Sequence, residues 1–66
     1  MSNQAKILFH ERALSEVKTA VHRAGLTIGP IHKMDKNIRS MSVTYPTGFN
    51  LDDFMYKLRH ENTDVK

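Results

Sequence analysis

Sixty-six residues with no cysteine make one domain at most and exclude disulfides and thiolate metal sites. Ten basic and seven acidic residues give a formal net charge of +3, which permits nucleic-acid binding without requiring it. No apolar run approaches the ~20 residues that span a bilayer, and the first residues lack the regions of a secretory signal. We therefore expect a cytoplasmic protein without membrane association, of the small accessory kind that bacteria and phages carry.

The first third of the chain predicts a short strand followed by a helix. Residues 5–10 form a brief, β-rich apolar run whose side chains alternate between two sides, as in a strand. Residues 11–24 predict a helix because apolar residues recur there at helical spacing, namely Leu14, Val17, Val21 and Ala24. Gly25 follows as a residue that readily adopts the positive φ common after a helix.

Two further strands are predicted in the middle of the chain. Residues 26–33 have strand character, but Gly29-Pro30 interrupts them. Because proline cannot donate a ladder hydrogen bond, this strand is expected at an edge of the sheet or with a bulge. Residues 34–37 have the composition of a hairpin turn. Residues 38–45 alternate between apolar and hydroxyl side chains, which is typical of a strand with one buried and one wetter face.

The last predicted element is a helix over residues 50–60. Asn50 is a favourable N-cap residue, and Asp53 and Lys57 stand four residues apart in the orientation that favours an ion pair. The apolar stripe of this helix consists of Leu51, Phe54, Met55 and Leu58. We expect a single domain over residues 1–66, with an ordered core over 5–60 and flexible tails at 1–4 and 61–66.

The order of the elements predicts an α+β fold of the type βαββα. A right-handed crossover makes the first two strands parallel, and the hairpin returns the third strand antiparallel between them. The expected architecture is a truncated ferredoxin-like sandwich, with a three-stranded mixed sheet in the order 1-3-2 and two helices on one face. The first strand then has an unpaired outer edge, which is a candidate for dimerisation or for binding a partner's strand.

A strand and helix over residues 7–24 run into the sequence RAGLTI over residues 23–28, and the third strand contains NIRSMSV over residues 37–43. With a closing helix that carries Leu51, Phe54 and Leu58, this pattern resembles the ACT-type regulatory domain of acetolactate synthase small subunits. The resemblance implies that the turn over residues 10–13 helps to bind a small effector, such as an amino acid, at a dimer interface. Here that turn has neither the Gly nor the Pro that family members tend to carry, and the family's last strand is missing.

The chemistry-bearing side chains form no catalytic or metal-binding pattern. No metal-ligand spacing connects the four histidines, which are His10, His22, His32 and His60. Asp52 and Asp53 are adjacent on a helix and are expected to act at its N-terminus, because two carboxylates that shared a proton would have to converge. We therefore expect no enzymatic activity, no metal and no cofactor.

The sheet face away from the helices is the first candidate binding surface. Its hydroxyl groups supply hydrogen bonds, while Leu8 and Ile38 supply apolar contact, a combination that favours a protein partner. The alternative is an ordinary solvated face. The residues predicted to bind a partner, on the first strand and this face, are Lys6, Leu8, His10, Ser40, Ser42 and Thr44.

The hairpin over residues 32–39 is the second candidate. It concentrates three cations within seven residues, Lys33, Lys36 and Arg39, and a protruding basic ribbon can contact phosphates. Arg12 and Arg23 are candidate additional contacts to nucleic acid. The alternative is an ordinary charged turn.

Three hypotheses of function follow from these patterns. The first is a non-catalytic regulatory or binding module that acts through protein–protein interaction, as a homodimer or bound to a larger protein. The second is a small basic nucleic-acid-binding regulator that uses the hairpin. The third is the ACT-like binding of a small effector.

Overall fold

The computed structural model describes residues 2–66, and Met1 lies outside the described residues. A three-residue 3-10 turn, Glu11–Ala13, leads from the first strand into the first helix. The order of strands and helices is βαββα, as predicted, and the elements are β1 (Ser2–His10), α1 (Leu14–Arg23), β2 (Thr27–Lys33), β3 (Ile38–Pro46) and α2 (Leu51–Glu61).

The three strands form one sheet in the order β1-β3-β2, which confirms the predicted order. β3 pairs antiparallel with both neighbours, so the ladders are antiparallel rather than mixed; the mutually parallel strands β1 and β2 are not adjacent. β2 lies at an edge, and its register shifts between Ile28 and Ile31. The bulge predicted from Gly29-Pro30 is therefore confirmed.

Successive side chains of β1 and β3 point to opposite faces of the sheet, and one set of them is buried beneath the two helices. The core consists of strand residues that are at most 1% exposed and of the apolar stripes of both helices. Leu14, Leu51 and Phe54 are half-buried at its margin. Both helices therefore cover the same face of the sheet, as predicted, and the buried set includes Ile7, Phe9, Met41, Val43, Val17, Val21, Met55 and Leu58.

The signals at the helix ends also act as expected. Gly25 follows α1 with a φ of 74°, in the left-handed region that favours glycine. The Asn50 side chain accepts a hydrogen bond from the Asp53 N–H over 3.0 Å, and Lys57 Nζ lies 3.1 Å from Asp53 Oδ2. Within residues 2–66, neither helix has the length and apolarity needed to cross a membrane.

The C-terminal segment, residues 62–66, turns back along the outer edge of β1. Val65 forms an antiparallel bridge with Phe9 and is only 6% exposed. The His10 N–H donates to the Asp64 carbonyl and the Lys66 N–H donates to the Leu8 carbonyl, each over 2.8 Å. The expectation of a wholly unpaired outer edge on β1 is thus wrong for Leu8–His10. The elements also extend beyond the predicted core of 5–60, since β1 begins at Ser2 and residues 62–66 join the sheet.

Candidate protein-binding surface

The uncovered face of the sheet, here called the open face, has an apolar centre. The strand register places Leu8, Ser40 and His32 side by side across the three strands. Leu8 is 39% exposed, whereas Ser40 is 2% exposed although no helix covers it. Ser40 therefore adds almost no polar surface to this row, in which it lies between Leu8 and His32.

Polar groups surround this central row. Lys6 lies opposite Ser42, and Thr44 lies one row further on, while His10 stands opposite Ile38 at the other end. All six residues predicted to bind a partner therefore lie on one surface.

The bulge in β2 shapes one side of this surface. A Cβ atom added at Gly29 would lie 3.1 Å from the Ser42 carbonyl oxygen and 3.2 Å from its Cβ. Glycine thus allows the β2 backbone to approach Ser42 closely. This approach leaves Ser42 half-buried.

The outer edge of β1 is occupied in one half and open in the other. In an antiparallel ladder the main-chain N–H and C=O of alternate residues point to the same side, and the bonds of Leu8 and His10 to the C-terminal segment identify the outward set. By the same alternation, Gln4 and Lys6 point their main-chain groups outward. Among the described residues these groups have no partner strand, and the stretch Ser2–Lys6 is here called the free edge.

A groove of about 650 Å³ lies between the free edge and α2. On the side of the groove that α2 forms, Tyr56 is 69% exposed. Its ring stacks on that of His60, with ring centroids 6.2 Å apart and an angle of 6° between the planes. The patterns of the sequence do not predict this groove; its one local signal is Tyr56, an aromatic residue outside the apolar stripe of the last helix. The groove is lined by Ala5, Lys6, Leu51, Asp52, Met55, Tyr56, Arg59 and His60.

Ion pairs and hydrogen bonds hold the C-terminal segment in place. Arg12 Nη2 donates to Asp64 Oδ1 over 2.8 Å, and Arg59 Nε donates to the Lys66 carbonyl over 3.0 Å. The hydrogen bond from Arg12, assisted by its charge, lowers the pKa of Asp64 and raises that of Arg12. The carboxylate of Asp64 is therefore favoured in the folded state.

This ion pair predicts a pH dependence that Asp64→Asn removes. Because the folded-state pKa of Asp64 is lowered, the ion pair stabilises the folded state fully at pH values above the unfolded-state pKa of about 3.9. This stabilisation is lost as the pH falls from the unfolded-state pKa through the folded-state pKa of Asp64. Urea unfolding between about pH 2 and pH 7 should show a smaller acid-induced loss of stability in Asp64→Asn than in wild type.

Glu61→Gln is the matched control, because Glu61 is exposed at the end of α2. It should leave the acid profile close to that of wild type. Equal acid profiles for Asp64→Asn and wild type would contradict a stabilising role for the pair.

The five cations predicted to contact nucleic acid do not share one surface. Lys33 lies directly opposite Arg39, and Lys36 occupies the adjoining turn. Arg12 is at the same end of the sheet but is bound to Asp64. Arg23 ends α1, at the other end of the sheet, so at most four of the five cations are neighbours.

Arg39 has an unusual environment within this group. Its Nη2 lies 3.7 Å from Glu11 Oε2, and its Nε is buried without a hydrogen-bond partner among the described residues. No group of three or more histidine or carboxylate side chains within residues 2–66 could hold a metal ion.

No protein-family model, no curated protein and no solved structure matches this chain.

Proposed function

We propose that this chain is a non-catalytic regulatory module of the cytoplasm that acts through protein–protein contact, as a homodimer or bound to a larger protein. The observation that supports this proposal most is the exposed apolar centre of the open face at Leu8, which continues into the free edge of the same strand. An apolar centre with a polar rim is the usual anatomy of a protein interface.

The free energies available at the open face and at the free edge favour a partner that contacts both surfaces. Covering the exposed 39% of Leu8 contributes about 1 kcal/mol, which is less than the ~2 kcal/mol of a dominant interface residue. Main-chain hydrogen bonds contribute about 1 kcal/mol each. A partner that contacts both Leu8 and the outward groups of Gln4 and Lys6 therefore gains more than either surface offers alone.

The test is capture of partners by the immobilised chain, with a matched pair of variants. Lys18→Cys provides a single attachment point on the exposed side of α1, since the sequence has no cysteine. We expect proteins captured from a host lysate to survive nuclease treatment. Leu8→Glu should reduce their recovery at least about tenfold, equivalent to 1.4 kcal/mol.

His22→Glu is the control variant, because it adds the same charge to the exposed surface of α1. It should leave recovery unchanged. Loss of all captured protein on nuclease treatment, or equal recovery with Leu8→Glu and His22→Glu, would contradict the proposed function.

Nucleic-acid binding by the hairpin is a second candidate that one observation favours. Lys33 and Arg39 stand directly opposite each other, and like charges at such positions destabilise a sheet, so a bound phosphate would relieve their repulsion. A contact that neutralises three phosphates through Lys33, Lys36 and Arg39 should give a log–log salt slope of about −2.7 on duplex DNA. Absence of measurable DNA or RNA binding at low salt would remove this candidate.

Effector binding, which the ACT resemblance implies, has less support. In the turn over residues 10–13, the Glu11 N–H already donates to the Asn37 carbonyl over 2.8 Å, and Ala13 is fully buried. Calorimetry against the amino acids that gives neither heat nor a thermal shift would remove it.

A further inference from the structure

The free edge of β1 is a template for one more antiparallel strand. Unpaired main-chain groups at a strand edge attract another strand, and here they belong to alternate residues with Gln4 at the centre of the stretch. The C-terminal segment already pairs antiparallel with the other half of this edge, through Leu8 and His10. A strand added at the free edge would therefore continue the line along β1 that the C-terminal segment already occupies beside Leu8 and His10.

The length and sequence of the free edge suit a second copy of the same strand. A register centred on Gln4 places Gln4 opposite Gln4 of the second copy and Lys6 opposite its Ser2, which pairs the whole stretch. A register centred on Lys6 would oppose two cations directly and would collide with the C-terminal segment at Leu8. A register centred on Ser2 would pair only the few residues around it.

The Gln4-centred register also keeps the cations apart. The two Lys6 positions are then four residues apart along the strand direction, or about 13 Å. This separation exceeds the Debye length of about 8 Å at physiological ionic strength. Repulsion between the two Lys6 side chains is therefore a weak obstacle to this pairing.

The groove beside the free edge provides contact beyond the main chain. In the added strand, Asn3 and Ala5 would lie on the side of the sheet that faces the groove, against Leu51 and Met55. Their small size lets the strand enter without displacing α2. This contact is needed, because a few main-chain hydrogen bonds do not by themselves offset the translational and rotational freedom lost on association.

We propose that a second copy of this chain adds its β1 antiparallel at the free edge, with Gln4 on the two-fold axis, so that the two sheets become one sheet of six strands. This inference rests on the proposed function, of which it develops the homodimer, and it names the second copy as the molecule that binds the free edge. The dimer thereby presents two copies of Leu8 on one continuous face.

A single cysteine at Gln4 tests this arrangement directly. Residues opposite each other in a hydrogen-bonded antiparallel pair have Cα atoms about 5.5 Å apart, within the range of about 4.4–6.8 Å that a disulfide spans. On oxidation, Gln4→Cys should form a covalent dimer at least about tenfold faster than Thr19→Cys, whose residue is exposed on α1. Sedimentation of the wild-type chain should show association towards twice 7.6 kDa.

Lys6→Pro is the complementary variant. It removes an outward N–H that bonds to no strand within residues 2–66 of the same chain, so it should weaken association at least about tenfold. The far-ultraviolet circular dichroism should stay that of the wild type. Should this variant misfold, the cross-linking comparison still decides the question.

Two results would overturn the inference. The first is a wild-type chain that stays monomeric at about 1 mM, so that any self-association is weaker than a Kd of that size. The second is equal cross-linking of Gln4→Cys and Thr19→Cys. Either result would leave the proposed function standing if Leu8→Glu still abolished partner capture.

Discussion

Replacing Val65 with aspartate should lower the free energy of unfolding by about 2 kcal/mol or more. Val65 is 6% exposed and belongs to the core cluster, and full burial of a valine side chain contributes about 1.5–3 kcal/mol. A carboxylate at this position would either be buried without a partner or pull residues 62–66 away from Phe9. Urea unfolding measures the change, and the melting temperature should fall by about 8–16 °C.

Thr63→Asp is the matched control for this prediction. It places the same charge two residues earlier in the C-terminal segment, at an exposed position, so its effect should lie within about 0.5 kcal/mol of wild type. If Val65→Asp were no more destabilising than Thr63→Asp, the packing of the segment against β1 would be refuted.

Phe9→Ala should have the largest effect on stability and leave much of the protein unfolded at 25 °C. Phe9 is the largest of the fully buried side chains, and truncation of a buried phenylalanine to alanine costs about 3–5 kcal/mol. A chain of 66 residues has a total stability of roughly 3–10 kcal/mol. The loss is therefore comparable to the whole of the smaller value.

Circular dichroism and urea titration would measure the effect of Phe9→Ala. Phe9→Leu keeps most of the buried volume and should retain a cooperative unfolding transition. Tyr56→Ala removes an aromatic ring that is 69% exposed, so it should change stability little. A stable Phe9→Ala variant would contradict the central place of this ring in the core.

The sequence predicts the order of elements well because its strongest signals are local and repeated. Met41, Val43 and Tyr45 alternate with hydroxyl residues over a full strand, which specifies both the strand and its buried side. Gly29-Pro30 predicts the edge position and the bulge through the missing proline N–H. Both signals are local in the sequence, and the structure confirms the strand order and the bulge that they predict.

The first part of β1 and the C-terminal segment have no such signal. Ser2–Gln4 is polar and joins the sheet only because Thr44–Pro46 extends beside it. Val65 is a lone apolar residue in a polar segment, and it packs in the core beside Phe9, its bridge partner 56 residues earlier. A contact over such a sequence separation leaves no periodic pattern, so the sequence alone predicts a flexible tail.

The candidate surface could be predicted in part for the same reason. The open face follows from the alternation of side chains along the strands, so the sequence predicts that its six residues share one surface. The groove between the free edge and α2 depends on the distance between that helix and the edge of β1. That distance is set by packing of Met55 and Leu58 against the sheet, which no local pattern encodes.

The bulge at Gly29-Pro30 has a consequence for how such molecules can assemble. It lies on the rim of the sheet opposite to β1, and there the missing proline N–H and the broken register hinder the docking of a further strand. A further strand can therefore be added only at the β1 edge of each molecule. In a two-fold dimer the β1 edges of both molecules are already paired with each other. Such a pair is closed and does not propagate into a filament, so concentrated solutions should contain discrete particles and no fibrils.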